Sequence, residues 1–308
     1  MPSSRKRIFT EALNSAHGYY YTVNKSLYRG RSKFQKLELV DTDEFGRVLL
    51  LDDITQVSEN KDHEYHEPMV HPALITHPRP SRVLVIGGGD GGIVREVLKY
   101  KSVNRIDFAE LDEKVVSFSR RYLADMNKGS FDDPRVTIHI TDGRAFVENH
   151  PGRFDVVIMD MTDPFGPSKM LYTREFFTAV KNSFRNTNGI FVMHSESPVT
   201  RPLAYSCIHK TLGKVFPRVR PFYLFIQMYA TLWSISVCSM SADPATLDAS
   251  AVKRRIASRG IKGLRVYSGD THCAMQAAFP WIESLHRTGG RIITDRRPDF
   301  PDNFIDSR

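Results

Sequence analysis

The chain has 308 residues, of which 41% are hydrophobic and 25% are charged. This composition is typical of a soluble globular protein, and the length allows one large domain or two unequal ones. The formal net charge of +8 is compatible with a nucleic-acid partner. The basic residues are mostly dispersed, however, so we interpret them as a solvated surface and predict no nucleic-acid partner.

Cysteine usage and hydropathy predict a cytoplasmic protein with no membrane partner. The three cysteines, Cys207, Cys238 and Cys273, lie far apart and lack metal-ligand spacing. This fits a reducing compartment and predicts no metal site. No apolar run approaches the ~20 residues that a membrane span requires. The N-terminus has a short basic start with no apolar stretch behind it, so we expect no signal peptide.

The first 60 residues divide into an unassigned part and a strand-rich part. Residues 1 to about 30 are polar and tyrosine-rich, and their pattern favours no particular element. Apolar residues on both sides of a turn at 43–46 follow a strand-like pattern. They predict short antiparallel strands over residues 32–60.

A helix and a domain boundary are expected next. Residues 62–76 have a helical pattern, although Pro68 and Pro72 weaken it. Two prolines within residues 77–80 separate this helical pattern from the apolar run that follows, as is common at a domain boundary. We therefore predict a β-rich N-terminal domain over residues 1–78.

Apolar runs and helical patterns alternate after this boundary. The predicted strands cover residues 83–86, 105–110, 136–140, 154–159, 189–194 and a pair within 222–239. The predicted helices cover residues 93–100, 114–123, the region near 145, 173–186, 201–215 and 243–262. This alternation predicts an α/β fold with a mostly parallel sheet and helices on both faces. We expect this domain to span residues 79–290, followed by a C-terminal tail over 291–308.

A glycine-rich loop, GGGDGG at 87–92, follows the first apolar run of this domain and precedes a helical pattern. Glycines at such a turn let the backbone approach a ligand closely, so Gly87 and Gly89 are candidate ligand-binding residues. The same pattern also occurs as a plain tight turn between a strand and a helix. Taken alone, it does not identify a ligand.

Acidic residues follow the next two predicted strands. Glu110 lies about 20 residues beyond the loop, where an acidic group can bind a ribose diol. Asp142 and Gly143 follow the third strand, where a carboxylate can accept a hydrogen bond from an adenine amino group. Together with Asp90 they place three carboxylates at the edge where open sheets bind ligands, and these would repel a pyrophosphate. The pattern favours S-adenosylmethionine or a relative over a dinucleotide.

The charge of Asp90 helps to predict whether S-adenosylmethionine or a relative of it binds. S-adenosylmethionine ends in an ammonium and a carboxylate, whereas its decarboxylated form ends in an ammonium alone. An aspartate in the glycine loop suits the decarboxylated form and repels the carboxylate of the other, unless another group neutralises Asp90. The sequence therefore suggests the decarboxylated donor.

Two further carboxylates follow the fourth parallel strand, in the segment MDMTDP at 159–164. An alkyl amine titrates near ~10 and is protonated at neutral pH. A carboxylate at Asp160 or Asp163 can take a proton from an attacking amine, while the other holds a distal ammonium. The structural alternative is a turn at Asp163 and a helix cap at Asp160.

Eight segments of the chain share their order and spacing with one known family. They are SKFQ at 32–35, LLLDDITQ at 49–56, YHE at 65–67, GGGDGG at 87–92, AELD at 109–112, TDG at 141–143, MDMTDP at 159–164 and SESP at 195–198. From Ser32 to about Ser239 the chain thus resembles the spermidine synthase (polyamine aminopropyltransferase) family. The resemblance implies a small N-terminal β domain, a Rossmann-like catalytic domain, a homodimer or homotetramer, and a flexible gate over the active site at 164–175.

The resemblance also implies a donor site. In it, Asp90 contacts the aminopropyl ammonium of the donor, Glu110 binds the ribose and Asp142 binds the adenine. Gln35 and Gln56 are implied as further donor contacts. Each of these two glutamines, taken alone, is more often a structural residue.

An acceptor site is implied in the same way. Asp160 is implied as the general base and Asp163 as a ligand of the acceptor amine. Tyr65 and Tyr229 are implied to line the acceptor channel, with His66 beside them. A lone tyrosine or histidine such as Tyr65 or His66 is more often a packed structural residue.

Some positions depart from the family pattern near the acceptor. The family often has a proline two residues before Tyr229 and another after it, but this chain has Gln227 and Ala230 there. Pro68 stands where the family commonly has methionine. These departures concern the identity of the acceptor more than the reaction. We expect putrescine, with agmatine, cadaverine or a longer polyamine as alternatives.

The predicted function is transfer of an aminopropyl group from decarboxylated S-adenosylmethionine to a polyamine-type amine, with release of methylthioadenosine. The donor is a co-substrate, and we expect no separate cofactor and no metal. The alternatives are an S-adenosylmethionine-dependent methyltransferase on the same fold and a non-enzymatic module that binds polyamines or nucleic acid. The complete acidic set argues against the last.

Overall fold

The computed structural model describes residues 6–285 and 289–301 of the chain. Its first part consists of two antiparallel sheets. The strands are β1 (Arg7–Ala12), β2 (Gly18–Val23), β3 (Lys25–Arg31), β4 (Lys36–Thr42), β5 (Gly46–Leu51) and β6 (Ile54–Ser58). β1 pairs with β2, and β3 to β6 form a four-stranded sheet in sequence order. The antiparallel strands predicted over 32–60 are confirmed as β4, β5 and β6.

Strands β1 to β3 occupy the segment to which the sequence pattern assigned no element. Most of their side chains are exposed or half-buried on both faces. Ile8 is 63% exposed and Tyr20 is 69% exposed, for example. A period of two in hydrophobicity arises only where one face of a strand is buried. β1 and β3 therefore carry no such signal, and in β2 the exposed Tyr20 hides the alternation that the buried Tyr21 and Val23 would give.

Helix α1 (His63–Thr76) forms where it was predicted, with Pro68 and Pro72 inside it. Each proline in a helix interior costs about 3 kcal/mol. Every residue from Tyr65 to Thr76 is buried, and full burial of one large aliphatic side chain contributes about 1.5–3 kcal/mol. The buried aliphatic side chains of α1 therefore outweigh its two prolines. The helix packs against α2 (Gly92–Leu98) of the second part of the chain.

The second part contains a seven-stranded sheet in the order β12-β13-β11-β10-β7-β8-β9. The strands are β7 (Arg82–Gly87), β8 (Arg105–Glu110), β9 (Val136–Ile140), β10 (Val156–Asp160), β11 (Ile190–His194), β12 (Arg218–Ile226) and β13 (Thr231–Ser239). β7 to β11 are parallel, and β12 and β13 are antiparallel. The predicted α/β fold with a preceding antiparallel β part is confirmed.

Central strands of this sheet are buried on both faces. In β7, Val83 and Val85 belong to one hydrophobic core, while Leu84 and Ile86 belong to a second core on the opposite face. A strand covered on both sides reads as an unbroken apolar run. This explains why the sequence identified the parallel strands so well.

The strand order opens a crevice at the centre of the sheet. From β7 the chain continues to β8 and β9 on one side, whereas β10 and β11 lie on the other side. Ligands of open α/β sheets bind at such a switch point, beyond the carboxyl ends of the strands. Gly87 pairs with Asp160 there, so the glycine loop and the first aspartate of MDMTDP lie side by side.

The remaining helices surround the sheet. They are α3 (Glu113–Tyr122), α4 (Ala124–Asn127), α5 (Gly143–Glu148), α6 (Arg174–Ser183), α7 (Pro202–Leu212), α8 (Ala249–Ser258), α9 (Gly269–Ala274) and α10 (Pro280–Leu285). The helix predicted over 243–262 is shorter, because Asp248 caps it at one end and Gly260, with φ +66°, follows its other end. None of the described helices is long and apolar enough to cross a membrane.

The sequence pattern did not predict α9 and α10, which are only one to two turns long. Between Gly289 and Pro301 the backbone forms neither a helix nor a regular strand, as predicted for the tail. Residues 302–308 of that tail lie outside the described part of the chain. The domain bounds at 78 and 290 stay predictions.

Candidate active site

A cavity of about 330 Å³ opens beyond the carboxyl ends of β7, β8 and β10. Eleven of the thirteen predicted site residues line it: Gln35, Gln56, Tyr65, His66, Gly87, Gly89, Asp90, Glu110, Asp160, Asp163 and Tyr229. A second cavity, of about 410 Å³, lies around Arg220 and Tyr223, and Glu283 is the one carboxylate among its described lining residues. None of the predicted site residues lines the second cavity.

Asp142 and Gly143 do not line the main cavity. Asp142 is exposed, and its Oδ1 caps α5 by accepting a hydrogen bond of 2.8 Å from the backbone N–H of Ala145. A Cβ atom on Gly143 would lie 2.3 Å from Cγ2 of Ile86. This glycine thus allows α5 to pack closely on β7. The adenine-binding role of Asp142 stays a prediction.

The glycine loop lines the cavity and packs directly against the end of β10. Gly87 has φ +74°, and a Cβ atom there would lie 2.2 Å from the backbone oxygen of Asp160. A Cβ atom on Gly88, with φ +71°, would lie 2.8 Å from Oδ2 of Asp160. Glycine is required at both positions because the loop runs directly against Asp160.

At the end of β8, Glu110 and Asp112 form the wall on the donor side. Oε1 of Glu110 accepts a hydrogen bond of 2.9 Å from the backbone N–H of Asp112. Burial raises the pKa of Glu110 to about 7. Gln35, from the N-terminal sheets, donates to Oδ2 of Asp112 at 3.2 Å. Gln56 donates to the backbone oxygen of Ile54, also at 3.2 Å.

His66 lies between two carboxylates at the start of α1. Its Nδ1 is 3.2 Å from Oδ2 of Asp62, and its Nε2 is 3.3 Å from Oδ1 of Asp90. Burial alone would lower the pKa of His66, but Asp90 and Asp62 raise it to about 10. The ring is therefore a cation at neutral pH. Asp90 thus has a buried counter-ion, which weakens the discrimination between the two donors that its charge alone would give.

Potential metal ligands also meet at this point. Among the described residues, His66, Asp90 and Asp160 place ligand atoms within 4.8 Å of one another. A histidine must be unprotonated to bind a metal, and the raised pKa of His66 opposes that state. Both of its ring nitrogens also face carboxylates. The absence of a metal stays a prediction, which this arrangement favours.

Asp160 lines the cavity at the end of β10. The hydroxyl of Tyr65 donates a hydrogen bond of 2.6 Å to its Oδ1. Burial, followed by the nearby charge of Asp90, raises the pKa of Asp160 to about 6, while Tyr65 and the charge of His66 limit the rise. The carboxylate is thus ionised at neutral pH, is held in one orientation, and is a better proton acceptor than an ordinary aspartate.

Tyr229 contacts both the N-terminal sheets and Tyr65, which binds Asp160. It lies in a single 3₁₀ turn, Gln227–Tyr229, between β12 and β13, and its hydroxyl donates to the backbone oxygen of Gln56 at 2.7 Å. The rings of Tyr65 and Tyr229 meet edge to face, with centroids 6.1 Å apart. Two aromatic side chains therefore line one side of the cavity next to Asp160.

Two carboxylates, Glu11 and Asp163, and the guanidinium of Arg201 line the far end of the cavity, and the fully buried Glu196 lies next to Arg201. Asp163 lies 3.3 Å from Arg201, which also lies 3.5 Å from Glu196. Glu11, from β1, lines the same end and is close enough to Asp163 for their charges to interact. Amines are the ligands that such an acidic, partly neutralised site favours.

Comparison with known proteins decides the family. A family model described as spermine/spermidine synthase domain matches residues 62–249, and one described as spermidine synthase tetramerisation domain matches residues 8–59. The polyamine aminopropyltransferase of Nitrosomonas europaea is 38% identical, over 92% of this chain and 87% of the relative. That of Pyrobaculum aerophilum is 40% identical, over 91% and 97%. This chain belongs to the spermine/spermidine synthase family.

The fold agrees with that of a solved spermidine synthase. A crystal structure of spermidine synthase in complex with the transition-state analogue AdoDATO matches with a TM-score of 0.86 and 31% identity. The match covers 92% of this chain and 97% of the solved one. The resemblance predicted from the sequence is confirmed, and the chain is a transferase of the polyamine aminopropyltransferase kind.

One departure from the family has a backbone consequence. Ala230, which follows Tyr229, has φ +50°. A proline, which the family often has there, would hold φ near −65°. The backbone N–H of Gln227, at the other departing position, donates to Oε2 of Glu64 at 3.0 Å. The turn that carries Tyr229 therefore disfavours proline at both positions, since Ala230 has a positive φ and Gln227 uses its N–H.

Sequence reasoning missed Glu11, Glu196 and Arg201. Glu196 was within reach, because it lies in the segment SESP just after β11, and carboxylates after neighbouring parallel strands meet at one edge of the sheet. Glu11 lies in β1, for which no element was predicted. Arg201 is one of many basic residues, and nothing in its local sequence marks it.

Proposed function

We propose that this enzyme transfers the aminopropyl group of decarboxylated S-adenosylmethionine to a diamine, with putrescine as the preferred acceptor. The observation that carries the proposal is the hydrogen bond between Tyr65 and Asp160 at the end of β10. It places an oriented carboxylate between the glycine loop on the donor side and Asp163 on the other side. Methylthioadenosine is the second product.

In the proposed reaction, Asp160 accepts a proton from the acceptor amine. The nitrogen lone pair then attacks the methylene carbon next to the donor sulfonium, a new C–N bond forms, and the C–S bond breaks. The electron pair of that bond stays on sulfur, which becomes the neutral thioether of methylthioadenosine. Proximity and proton removal supply the catalysis. No cofactor other than the co-substrate takes part in this scheme.

The donor occupies the side of the cavity built by β7 and β8. Glu110 binds the ribose diol, Asp142 binds the adenine amino group, and Asp90 binds the ammonium of the aminopropyl group. Gln35 is held against Asp112 at the same wall, and Gln56 lies on the face toward Tyr229. The similarity to a spermidine synthase that binds the transition-state analogue AdoDATO supports this assignment.

The acceptor occupies the other side. Its attacking nitrogen lies at Asp160, its carbon chain lies along the rings of Tyr65 and Tyr229, and its distal ammonium lies at Asp163. The match of residues 8–59 to a tetramerisation domain supports a homo-oligomer, either a dimer or a tetramer. A cytoplasmic location and the absence of nucleic-acid and membrane partners complete the proposal.

A product assay by mass spectrometry tests the function. The purified protein is incubated with decarboxylated S-adenosylmethionine and, separately, with putrescine, cadaverine, agmatine or spermidine. We expect methylthioadenosine and an aminopropylated amine, with putrescine giving the highest kcat/KM. A parallel incubation uses S-adenosylmethionine itself. Methyl transfer from that donor, without turnover of the decarboxylated form, would establish the methyltransferase alternative instead.

A further inference from the structure

A fixed guanidinium lies at the end of the cavity where the proposed function places the distal ammonium of the acceptor. Nη1 of Arg201 is 3.3 Å from Oδ2 of Asp163 and 3.5 Å from Oε1 of Glu196. Glu196 is fully buried, and the side chain of Arg201 is only 11% exposed. The cation therefore bridges two carboxylates inside the protein.

Contacts on both sides hold Arg201 in this place. Its backbone N–H donates to the oxygen of Ser197 at 3.0 Å, directly before α7 begins. Its Nε donates to the backbone oxygen of Leu13, in the loop between β1 and β2, at 3.4 Å. Asn14 of the same loop donates to the backbone oxygen of Thr200 at 3.2 Å. The guanidinium is thus a built part of the cavity wall.

We propose that Arg201 restricts the acceptor to diamines, which carry a single ammonium beyond the attacking nitrogen. This inference rests on the proposed function. A diamine brings one ammonium to Asp163. A triamine brings a further ammonium beyond Asp163, into the end of the cavity that the guanidinium of Arg201 lines. Two cations at such short range in a buried site repel each other strongly, since little water screens them.

The other charged group at this end does not remove the restriction. Glu11 is the third carboxylate here, and the backbone N–H of Thr55 donates to its Oε2 at 2.8 Å. Burial raises the pKa of Glu11, which favours its neutral form. Asp163, Glu196 and Arg201 together carry one net negative charge. One distal ammonium pairs with Asp163, and a second would lie against the guanidinium of Arg201, 3.3 Å from that carboxylate.

The test compares acceptors in wild type and in Arg201 variants of the full chain. The measured quantity is the ratio of kcat/KM for spermidine, a triamine, to kcat/KM for putrescine, a diamine. We expect a low ratio in wild type and a rise of at least about tenfold in Arg201→Gln, because a like-charge contact is removed. Arg201→Lys keeps the positive charge and should keep the low ratio.

A control and a binding measurement make the test decisive. Arg220→Gln breaks another arginine–carboxylate pair, with Asp243 at 2.6 Å, away from the main cavity, and should leave the ratio unchanged. Calorimetric titration of spermidine into the complex with methylthioadenosine gives the same comparison without turnover. If Arg201→Gln folds poorly, the double variant Glu196→Gln/Arg201→Gln removes both charges, and it should still bind spermidine more tightly than wild type does.

Two results would overturn the inference. One is a wild type that uses spermidine as well as putrescine. The other is an unchanged ratio and unchanged spermidine affinity in Arg201→Gln, with putrescine turnover intact. In both cases the aminopropyl transfer itself would stand. A wild type without turnover of any amine would instead overturn the proposed function and this inference with it.

Discussion

The two halves of the cavity are built in different ways. The donor half comes mainly from the ends of β7 and β8, within the stretch from Gly87 to Asp112, and Gln35 and Gln56 join it from the N-terminal part. The acceptor half combines β1, α1, the loop after β10, the segment after β11 and the turn before β13. Parallel strands bring nearby sequence motifs to one edge of a sheet. A site assembled from distant segments has no comparable local signature.

The halves also differ in how charge is balanced. On the donor side, the carboxylate of Asp90 faces the buried His66 cation, whose other ring nitrogen lies against Asp62. On the acceptor side, Arg201 partly neutralises Asp163 and Glu196. Each half thus contains a protein cation next to the carboxylate proposed to bind a substrate ammonium. The two halves differ in the ligand that they are proposed to bind. The donor carries one such ammonium group, whereas acceptors differ in how many ammonium groups they carry.

The largest effect is expected at the junction of the two halves. Asp160→Asn should lower kcat by ~10²–10⁴, because it removes the general base. Donor affinity measured by calorimetry should remain close to that of wild type, since the donor contacts lie on Asp90 and Glu110. Near-normal turnover in the variant would remove Asp160 from the role of base.

A change within the acceptor half should be smaller and should affect one substrate. Asp163→Asn should weaken acceptor binding by ~1.5–3 kcal/mol, the value of a hydrogen bond to a charged group, and leave donor binding unchanged. The kcat/KM for 1,3-diaminopropane, which we expect to be too short to contact both carboxylates, should fall less than that for putrescine. An equal loss for both amines would mean that Asp163 only shapes its loop.

The pH dependence separates the halves without a mutation. Burial raises the pKa of Asp160 to about 6 and that of Glu110 to about 7. Both must be ionised to act, so function is present above these values and is lost as the pH falls through them. Donor affinity should weaken below about pH 7, and kcat at saturating substrates should fall about tenfold per pH unit below about 6.

The Asp163→Asn variant is the control for this profile, because Asp163 is not the proposed base. It should show the same decline in kcat below about pH 6. A decline that moves or disappears in this variant would transfer the role of base to Asp163.

The smallest effect is expected on the donor side. Asp90→Asn should narrow the preference for decarboxylated over ordinary S-adenosylmethionine by about tenfold or less, equal to about 1.4 kcal/mol. The effect is limited because His66 already balances the charge of Asp90. The ratio of the two dissociation constants measures it. An unchanged ratio would show that another group selects the donor.

Several predictions from the sequence follow directly from burial and strand order. The apolar run before Gly87 predicted β7, because a strand covered on both faces cannot alternate. The acidic residues Asp90, Glu110, Asp142, Asp160 and Asp163 were predicted to converge, and all of them except Asp142 line one cavity. The helix with two prolines was predicted with less support. The burial of every residue from Tyr65 to Thr76 explains why it forms despite the prolines.

The sequence by itself determined the fold class, the family and the carboxylates of the donor half, because these depend on local periodicity and on motifs at successive strand ends. Only the tertiary structure decided that His66 is a buried cation beside Asp90 and that Arg201 lies between Asp163 and Glu196. The charge state of a group depends on its neighbours in space and on its burial. For His66 and Arg201, partners such as Asp90, Leu13 and Asp163 lie far away along the chain.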